Sequence, residues 1–305
     1  MIGARSVLMD IFVAEQCLDI LEQEQCTCIM GATPFACDLL KVMQSRQHDL
    51  SALRFFLCGG TTIPGKLVRD YHKAGIPLLG VYGSTESAPH AIVRPQDSLI
   101  RQVNTDGAAV AGVEIKIVDK KRNTLAEYTE GEEASRGPNV FVGYFDEPEL
   151  TAQVLDDAGW YYSGDYCRVD KEGYIKITGR KKDIIVRGGE NISSREIEDI
   201  LLQHPDICDA AVVAMPDKRL GERSCAYVIL NNSENNLTLA DVIAFFATRR
   251  IAKYKYPEHL VIIDSLPRTA SGKIKKFLLR KDIIQRLALA SRETSCLTFD
   301  KVSSE

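Results

Sequence analysis

Short apolar runs that end in glycine recur through the first hundred residues. Such runs are typical of parallel strands buried on both faces, and the segments between them have helical spacing. The pattern predicts strands over 27–32, 53–60 and 76–83 and helices over 35–43 and 64–74. Strand–helix–strand units of this length favour a parallel sheet with right-handed crossovers. In such a sheet the loops at the carboxyl ends of the strands bind the ligand.

The pattern changes after residue 104. Apolar and polar residues alternate over 113–119 and 174–179, and turn-forming stretches (DKKRN, DDAGW, DKEG) lie between the alternating segments. Alternation with period two is typical of strands that bury one face. Residues 104–178 are therefore predicted to form an antiparallel sheet or a small β-barrel.

From residue 180 strands and helices alternate again. Ser193 or Ser194 can cap a helix whose apolar face includes Ile197 and Leu201. Further strands are predicted over 207–215, 224–230 and 260–264, and helices over 238–249 and 275–288. We expect an α/β region over 1–103, an antiparallel subdomain over 104–182, an α+β domain over 183–290 and a polar tail over 291–305.

Composition narrows the class of protein. The 305 residues are 45% hydrophobic and 26% charged, which allows a sizeable core and excludes wholesale disorder. The net charge of -4 gives no support to a nucleic-acid role. No run of about 18 apolar residues occurs, so we expect no membrane span, and the N-terminal stretch lacks the apolar core of a signal peptide.

The nine cysteines are scattered along the chain. Cys26 and Cys28 lie two apart, which is not CxxC, and no histidine cluster accompanies them, so a zinc site is not expected. Mostly buried free thiols in a reduced, cytoplasmic setting are the expected state.

Two motifs place polar side chains beside glycines in the first two regions. In YGSTE at 82–86, a hydroxyl and a carboxylate follow a buried strand and could hold a phosphate oxygen and its Mg²⁺. The alternative is a helix cap. Asp165 follows a tight glycine turn and could accept hydrogen bonds from both hydroxyls of a ribose, with an Asx turn as the alternative.

Two more motifs lie in the last third. Gly188 and Gly189 could let a ligand approach the backbone closely, and a hairpin turn is the alternative. Lys273 follows a glycine and could enter an anionic site as a point charge. The surrounding stretch is not a Walker loop, because its upstream glycine and preceding strand are wrong. The alternative is an exposed loop that leads into a helix.

In their order and spacing these motifs resemble the adenylate-forming family of acyl-CoA synthetases, luciferases and peptide-synthetase adenylation domains. The resemblance covers about residues 25–285 and is closest to the short- and medium-chain fatty-acid CoA ligases of enteric bacteria. The similar stretches are YGSTES (YGxTE in the family), GEEASRGPNVFVGYFDEPELTAQ (RGPxVxxGYxxxPExT), GWYYSGD (Y-x-TGD, with Ser163 for Thr), GRKKDIIVRGGENISSREIE (hinge and loop) and PRTASGKIKK (catalytic lysine).

The resemblance implies a fold and a reaction. The fold is part of a large α/β adenylate-forming domain, with a parallel sheet and an antiparallel β-barrel-like subdomain, followed by a small mobile α+β C-terminal domain. A fatty acid or other small carboxylate attacks the α-phosphate of ATP, giving an acyl-adenylate and pyrophosphate, and the thiol of CoA then attacks the adenylate. ATP, Mg²⁺ and CoA are the implied cofactor and co-substrates, and peripheral membrane contact stays open.

By the same resemblance, Thr85 would bind the α-phosphate and Glu86 the Mg²⁺. Asp165 would hold the ribose hydroxyls, assisted by Arg180, and Lys273 would bridge the carboxylate and the phosphate during adenylation. Gly60, Thr61 and Thr62 would border the adenine and Tyr82 would stack on it, and Gly83 would be a further nucleotide-binding residue. The acyl pocket is assigned to Phe35, Val81 and Ala88, and the acyl chain length is left open.

The resemblance also implies that the small domain rotates between the two half-reactions about a hinge at Lys182. After the rotation, Gly188, Gly189 and Glu190 would line the pantetheine tunnel. Tyr254 and Lys255 would meet the CoA nucleotide.

Family members are usually much longer, and the sequence contains no Ser/Thr/Gly-rich loop with a following lysine that would bind the β- and γ-phosphates. We therefore expect Met1 to be an internal methionine of a longer enzyme, and these residues alone to catalyse negligible ATP–pyrophosphate exchange. A non-catalytic nucleotide- or CoA-binding remnant is the alternative from another class. An amino-acid adenylation domain is a weaker alternative, because nothing after Ala290 resembles a carrier module.

Overall fold

The computed structural model describes residues 3–46, 48–232, 235–269 and 272–299, the last ten of these by their backbone alone. The chain folds into two compact units, Met1–Ile177 and Thr178–Glu305. This division lies a few residues before Lys182. No helix in the described ranges combines the length and apolarity that crossing a bilayer requires.

A five-stranded mixed sheet forms the base of the first unit. Its strands follow chain order: β1 (Cys28–Ala32), β2 (Phe55–Gly59), β3 (Leu78–Ser84), β4 (Ala88–Ile92) and β5 (Ala108–Ala109). The three predicted strands are confirmed and are parallel to one another. β4 runs antiparallel to β3 because the three residues between them are too few for a crossover.

Four helices belong to the same part of the first unit: α1 (Ala14–Gln23), α2 (Thr33–Ser45), α3 (Gly65–Lys73) and α4 (Leu99–Asn104). Leu18, Leu39 and Phe56 are fully or almost fully buried in one apolar cluster that α1, α2, α3 and the sheet share. Tyr71 of α3 joins this cluster and donates its hydroxyl to the Ala36 carbonyl at 2.8 Å. The helices predicted over 35–43 and 64–74 are thus confirmed, each within a few residues.

An antiparallel four-stranded sheet completes the first unit, as the alternating pattern predicts. Its order is β6 (Glu114–Val118), β7 (Gly131–Arg136), β8 (Tyr161–Val169) and β9 (Ile175–Arg180), with a short helix α5 (Pro148–Val154) before β8. Backbone hydrogen bonds link the two sheets, from Asp106 to Ile175 and from Ile175 to Gly107, each at 2.8 Å.

The second unit is built on a five-stranded sheet in which β11 (Glu190–Ser193), β10 (Ile184–Arg187), β13 (Gly221–Leu230) and β12 (Ile207–Asp217) are neighbours and β14 (His259–Ile262) pairs with β13. Alternate residues of β12 face opposite sides, so Val212 belongs to one apolar cluster and Val213 to another.

The helices of the second unit are α6 (Ser194–Leu201), α7 (Leu239–Ala247) and α8 (Lys276–Phe299). Ser193 is the residue that caps α6, since its hydroxyl accepts from the Glu196 amide. Helix α8 begins close to the predicted position but continues to Phe299, where the sequence pattern predicts a tail from 291. The rest of that predicted tail, 300–305, lies outside the described residues.

Candidate functional site

A turn at residues 85–87 joins β3 to β4 and contains the predicted phosphate-binding side chains. The two strands approach closely at Gly83, where a Cβ atom would lie 2.1 Å from the Ala88 carbonyl oxygen. The Ser84 hydroxyl lies 3.1 Å from the Ser87 hydroxyl across the turn. The helix-cap alternative is therefore wrong, because the segment links two strands.

Glu86 of this turn is held by Tyr144. The Tyr144 hydroxyl donates to the Glu86 carboxylate at 3.0 Å, and the Phe141 amide donates to the Glu86 carbonyl at 2.7 Å. Burial and the hydrogen bond to Glu86 raise the pKa of Tyr144, so the phenol stays protonated. Sequence reasoning missed this role, although Tyr144 is the tyrosine of the VGYF stretch in a quoted motif. Thr85 is exposed at the tip of the turn.

Tyr82 and Asp165, which lie 83 positions apart, meet in the first unit. The Tyr82 hydroxyl lies 3.0 Å from an Asp165 carboxylate oxygen and 3.3 Å from a Glu133 carboxylate oxygen. Burial, followed by the charges of Glu133 and Asp165, raises the pKa of Tyr82, so its hydroxyl remains a donor. Asp165 is buried inside β8, which differs from the Asx-turn alternative.

A buried histidine lies behind this pair. His90 Nε2 is 3.3 Å from Glu133 Oε1, and the side chains are 1% and 0% exposed. Burial lowers the pKa of His90, but the hydrogen bond to Glu133 and its negative charge raise it, and the net shift is upward. His90 lies outside the quoted motifs. Glu133 lies inside the stretch GEEASRGPNVFVGYFDEPELTAQ, but sequence reasoning assigned it no role. Their pairing lets a buried carboxylate lie next to Tyr82.

The predicted adenine-binding residues lie at the edge of the sheet where β2 and β3 end. Gly59 pairs with Val81, and a Cβ atom at Gly59 would lie 2.7 Å from the Val81 carbonyl oxygen. Gly60 follows with φ of +85°, and Thr61 and Thr62 are half-buried. The structure therefore brings this loop beside β3, the strand that contains Tyr82 and Gly83.

The three residues assigned to the acyl pocket lie on α2, β3 and β4. Phe35 stacks on Phe12 with ring centroids 4.4 Å apart, Val81 is half-buried, and Ala88 has a φ of +48°. A cavity of about 820 Å³ in the same unit contains none of the predicted site residues. It lies near the amino ends of β2 and β3, lined in part by Leu53 and Ile76.

In the second unit, the predicted hinge residue Lys182 lies in a single 3-10 turn, Lys181–Asp183. Arg280 of α8 donates to the Lys182 carbonyl at 3.2 Å and forms an ion pair with Asp183. Arg180, the last residue of β9, is exposed. The roles of Lys182 and Arg180 stay predictions.

Gly188 and Gly189 form the two-residue turn between β10 and β11. Their φ angles of +57° and +92° suit the left-handed conformations of a tight hairpin, so the structural alternative for this motif is confirmed. Glu190 follows and is exposed. The hairpin leaves the predicted CoA role untested.

The two other residues assigned to CoA both lie in a 3-10 turn, Lys253–Lys255. Tyr254 is partly exposed, at 37%. Lys255 Nζ lies 2.7 Å and 2.9 Å from the two carboxylate oxygens of Glu196. The charge of Lys255 is therefore matched within its own unit.

Lys273 lies on a short loop that leads into α8. Its amide donates to the Thr269 hydroxyl at 3.1 Å, and its carbonyl accepts from the Thr269 amide at 2.9 Å. The side chain of Lys273 is exposed. The alternative for this motif, an exposed loop leading a helix, describes its local structure. Ala270 and Ser271 of the motif lie outside the described residues.

Comparisons with known proteins match both units. The model of the AMP-binding enzyme family matches residues 1–145, and that of the AMP-binding enzyme C-terminal domain matches residues 196–273. The chain is 69% identical to the medium-chain fatty-acid–CoA ligase of Escherichia coli K12, covering 94% of this chain and 51% of that protein. It is 37% identical to the indoleacetate–CoA ligase of Aromatoleum aromaticum, covering 93% and 55%. The chain thus spans about half the length of the curated relatives it matches.

Solved structures show the same fold. ATP-bound MatB from Rhodopseudomonas palustris matches with a TM-score of 0.82 at 28% identity, covering 89% of this chain and 53% of that one. The o-succinylbenzoate CoA synthetase MenE of Bacillus subtilis, in complex with its acyl-adenylate intermediate, matches with a TM-score of 0.78 at 28% identity, covering 88% and 54%.

Proposed function

Because this chain belongs to the family of AMP-binding, adenylate-forming enzymes, we propose that it functions in an ATP-dependent CoA ligase for short- or medium-chain fatty acids. The observation that carries the proposal is the contact between Tyr82 and Asp165. This contact joins residues of two separate motifs into one polar site. The site lies at the edge of the sheet where the loop at Gly60 also lies. The identity of 69% to a medium-chain fatty-acid–CoA ligase supports the substrate class.

In the proposed site the nucleotide lies along this edge. The Tyr82 hydroxyl is anchored on carboxylates, which fixes its ring as a stacking face for adenine. Asp165 accepts ribose hydroxyls beside the Tyr82 contact, since a carboxylate offers about four lone-pair positions. Thr85 donates its exposed hydroxyl to the α-phosphate. The loop residues Gly60, Thr61 and Thr62 border the base, and Gly83 is a further nucleotide-binding residue.

Glu86 suits a Mg²⁺ ion. Protein-bound Mg²⁺ commonly takes one or two carboxylates together with substrate phosphate oxygens. Among the described residues, no group of three or more His, Cys, Asp and Glu side chains could hold a metal ion by itself. Glu86, oriented by Tyr144, would therefore hold the ion with the phosphates, and the ion would offset their negative charge.

We assign the two half-reactions to different groups of the second unit. In adenylation, Lys273 neutralises the charge that develops on the substrate carboxylate and the α-phosphate, and Arg180 assists Asp165. In thioester formation, the domain rotates about Lys182, and the hairpin at Gly188, Gly189 and Glu190 lines the pantetheine tunnel. Tyr254 and Lys255 are assigned to the CoA nucleotide. Phe35, Val81 and Ala88 contribute to the acyl pocket.

We also propose a cytoplasmic location. Eight cysteines of the described residues are free thiols. Burial raises the pKa of several of them, including Cys58 to about 11, which keeps them protonated and inert. Free thiols in this number are typical of proteins in a reducing compartment.

The experiment uses a ligase chimera, in which the 305-residue chain replaces the part of the Escherichia coli ligase that it matches. ATP–pyrophosphate exchange and thioester formation are measured with carboxylates from acetate to palmitate, and the 305-residue chain alone is assayed beside it. We expect the chimera to form thioesters best with short or medium chains and the chain alone to show negligible exchange. A chimera that binds ATP or CoA without either half-reaction would favour the non-catalytic remnant.

The chimera also tests Lys273. Lys273→Ala should lower exchange by about 10²–10³-fold, on the scale of a lost preorganised charge, while thioester formation from supplied acyl-adenylate persists. Lys281→Ala, which removes a lysine from α8, is the matched control. Unchanged exchange with abolished thioester formation would refute the role assigned to Lys273.

A further inference from the structure

A largely buried ion pair lies where the Lys273 loop meets α8. Lys276, the first residue of α8, places its Nζ 2.7 Å from the Glu198 carboxylate of α6, and the two side chains are 16% and 15% exposed. The same ammonium donates to the Ser194 hydroxyl at 2.9 Å. The Glu198 carboxylate also accepts from the Val212 amide of β12 at 2.6 Å. Glu198 of α6 is therefore bonded to two other elements of the second unit, α8 and β12.

The geometry of this pair is strongly constrained. A charge removed from water is costly unless it is paired and hydrogen-bonded, so neither partner can move away alone. Lys276 lies next to Lys275, whose amide donates to the Pro267 carbonyl at 2.7 Å and closes the loop. The position of Lys276 thus sets where the loop ends.

A second carboxylate holds the beginning of the loop. The Arg268 guanidinium forms an ion pair with Asp209 of β12 and donates to the Gly272 carbonyl. Lys273 lies between these two anchored ends with its side chain exposed. The described residues at the two ends of the loop are therefore held in place, although the side chain of Lys273 itself is exposed.

We propose that Glu198 is a positioning residue for adenylation, which acts through Lys276 to hold the loop that presents Lys273. The proposal rests on the function proposed above for Lys273. Catalytic groups must be held within a fraction of an ångström of the productive geometry, and side chains that touch no substrate commonly provide that support. Glu198 is such a side chain, because its carboxylate is occupied by Lys276 and Val212.

The test uses the ligase chimera and separates the half-reactions. Lys276→Met should lower kcat for ATP–pyrophosphate exchange by about 10- to 100-fold, with KM for ATP nearly unchanged, because a small misplacement of a reacting group has that cost. Thioester formation from supplied acyl-adenylate and CoA should persist, since Lys273 takes no part in that step. Lys276→Arg should retain most of the exchange, because a guanidinium can also pair with Glu198. Arg286→Met, which removes an exposed cation from the same helix, is the matched control.

A double variant distinguishes positioning from stability. Glu198→Gln with Lys276→Met removes both charges, and replacing a whole buried pair is often neutral for stability. We expect its thermal midpoint to return toward that of the parent chimera while exchange stays low. Exchange that recovers together with stability would overturn the proposal, as would an equal fall of both half-reactions in Lys276→Met. A parent chimera without either half-reaction would overturn the proposed function and this inference with it.

Discussion

At the scale of single residues, four buried or half-buried polar side chains form one hydrogen-bonded network in the first unit: Tyr82, Asp165, Glu133 and His90. The Tyr82 hydroxyl donates between Asp165 and Glu133, and His90 faces the other oxygen of Glu133. Two carboxylates are tolerated here because a phenol and an imidazole supply protons to them. Such networks are stable when every member is satisfied and costly when one is removed.

Removing the Tyr82 hydroxyl should therefore destabilise the first unit. Tyr82→Phe keeps the ring but removes one hydrogen-bond donor from a network that contains two buried carboxylates, which costs about 1–3 kcal/mol of unfolding free energy. Tyr128→Phe is the control, since Tyr128 is 61% exposed. Urea unfolding of the first unit measures both variants. Equal midpoints for the two would show that the Tyr82 hydroxyl contributes nothing to the network.

His90 should make this stability depend on pH. Its pKa in the folded protein lies above the ordinary value of 6.5. A raised pKa means that the folded state binds the proton more tightly than the unfolded state does. The stabilisation is fully present below about pH 6.5 and is lost as the pH rises through the raised pKa.

The measurement compares urea midpoints of the parent and of His90→Gln from pH 5.5 to 9. The difference between the two curves should shrink as the pH rises. His72→Gln, at an exposed position of α3, should give a curve parallel to the parent. A difference that is constant with pH would mean that His90 is not charged in the folded state.

At the scale of elements, the β3–β4 hairpin determines where the polar side chains of YGSTE lie. Its strands approach so closely at Gly83 that a side chain would collide with the backbone of Ala88 and Pro89. Gly80 lies in the same strand, but a Cβ atom there would meet only side-chain atoms, at 3.5 Å and 3.6 Å. Gly80 is therefore a matched control position for an alanine substitution at Gly83.

Gly83→Ala should force the hairpin apart and cost about 1–3 kcal/mol, the usual penalty of overpacking. Gly80→Ala should be neutral or slightly stabilising, because alanine restricts the unfolded chain and its contacts are ordinary. Thermal unfolding of the 305-residue chain gives both values. The interpretation of Gly83 would be wrong if the two variants had the same thermal midpoint.

At the scale of the whole molecule, each unit has its own apolar core. The two clusters of the second unit contain only residues from that unit, with side chains such as Ile185, Val213, Tyr227 and Phe246. Both units expose large apolar side chains, but the exposure is greatest in the first unit, where Phe145 is 97% and Met30 is 71% exposed, against 59% for Leu289 in the second unit. Exposed apolar patches favour association.

Residues 178–305 should therefore fold alone. We expect a cooperative urea transition and a near-UV circular dichroism spectrum typical of fixed aromatic side chains. Residues 1–177, expressed in the same way, should bind more of a hydrophobic dye. A non-cooperative transition for 178–305 would show that its core needs the first unit.

Sequence reasoning predicted most strands and helices because hydrophobic periodicity is a local property. It also located the chemistry-bearing motifs, since their residues lie within short stretches. It had no signal for β4 and β5, whose pairing depends on the length of a turn. For two motifs, the hairpin at Gly188 and the loop at Lys273, the simple structural alternative describes the local geometry.

The sequence by itself determined the order of elements, the positions of the motifs and the resemblance to a family. Only the tertiary structure decided which side chains meet: Tyr82 with Asp165, His90 with Glu133, and Lys276 with Glu198. The physical reason is that each pair joins different elements that lie far apart in the chain. Such contacts form only when the packing of the whole unit brings those elements together, and no local pattern encodes that packing.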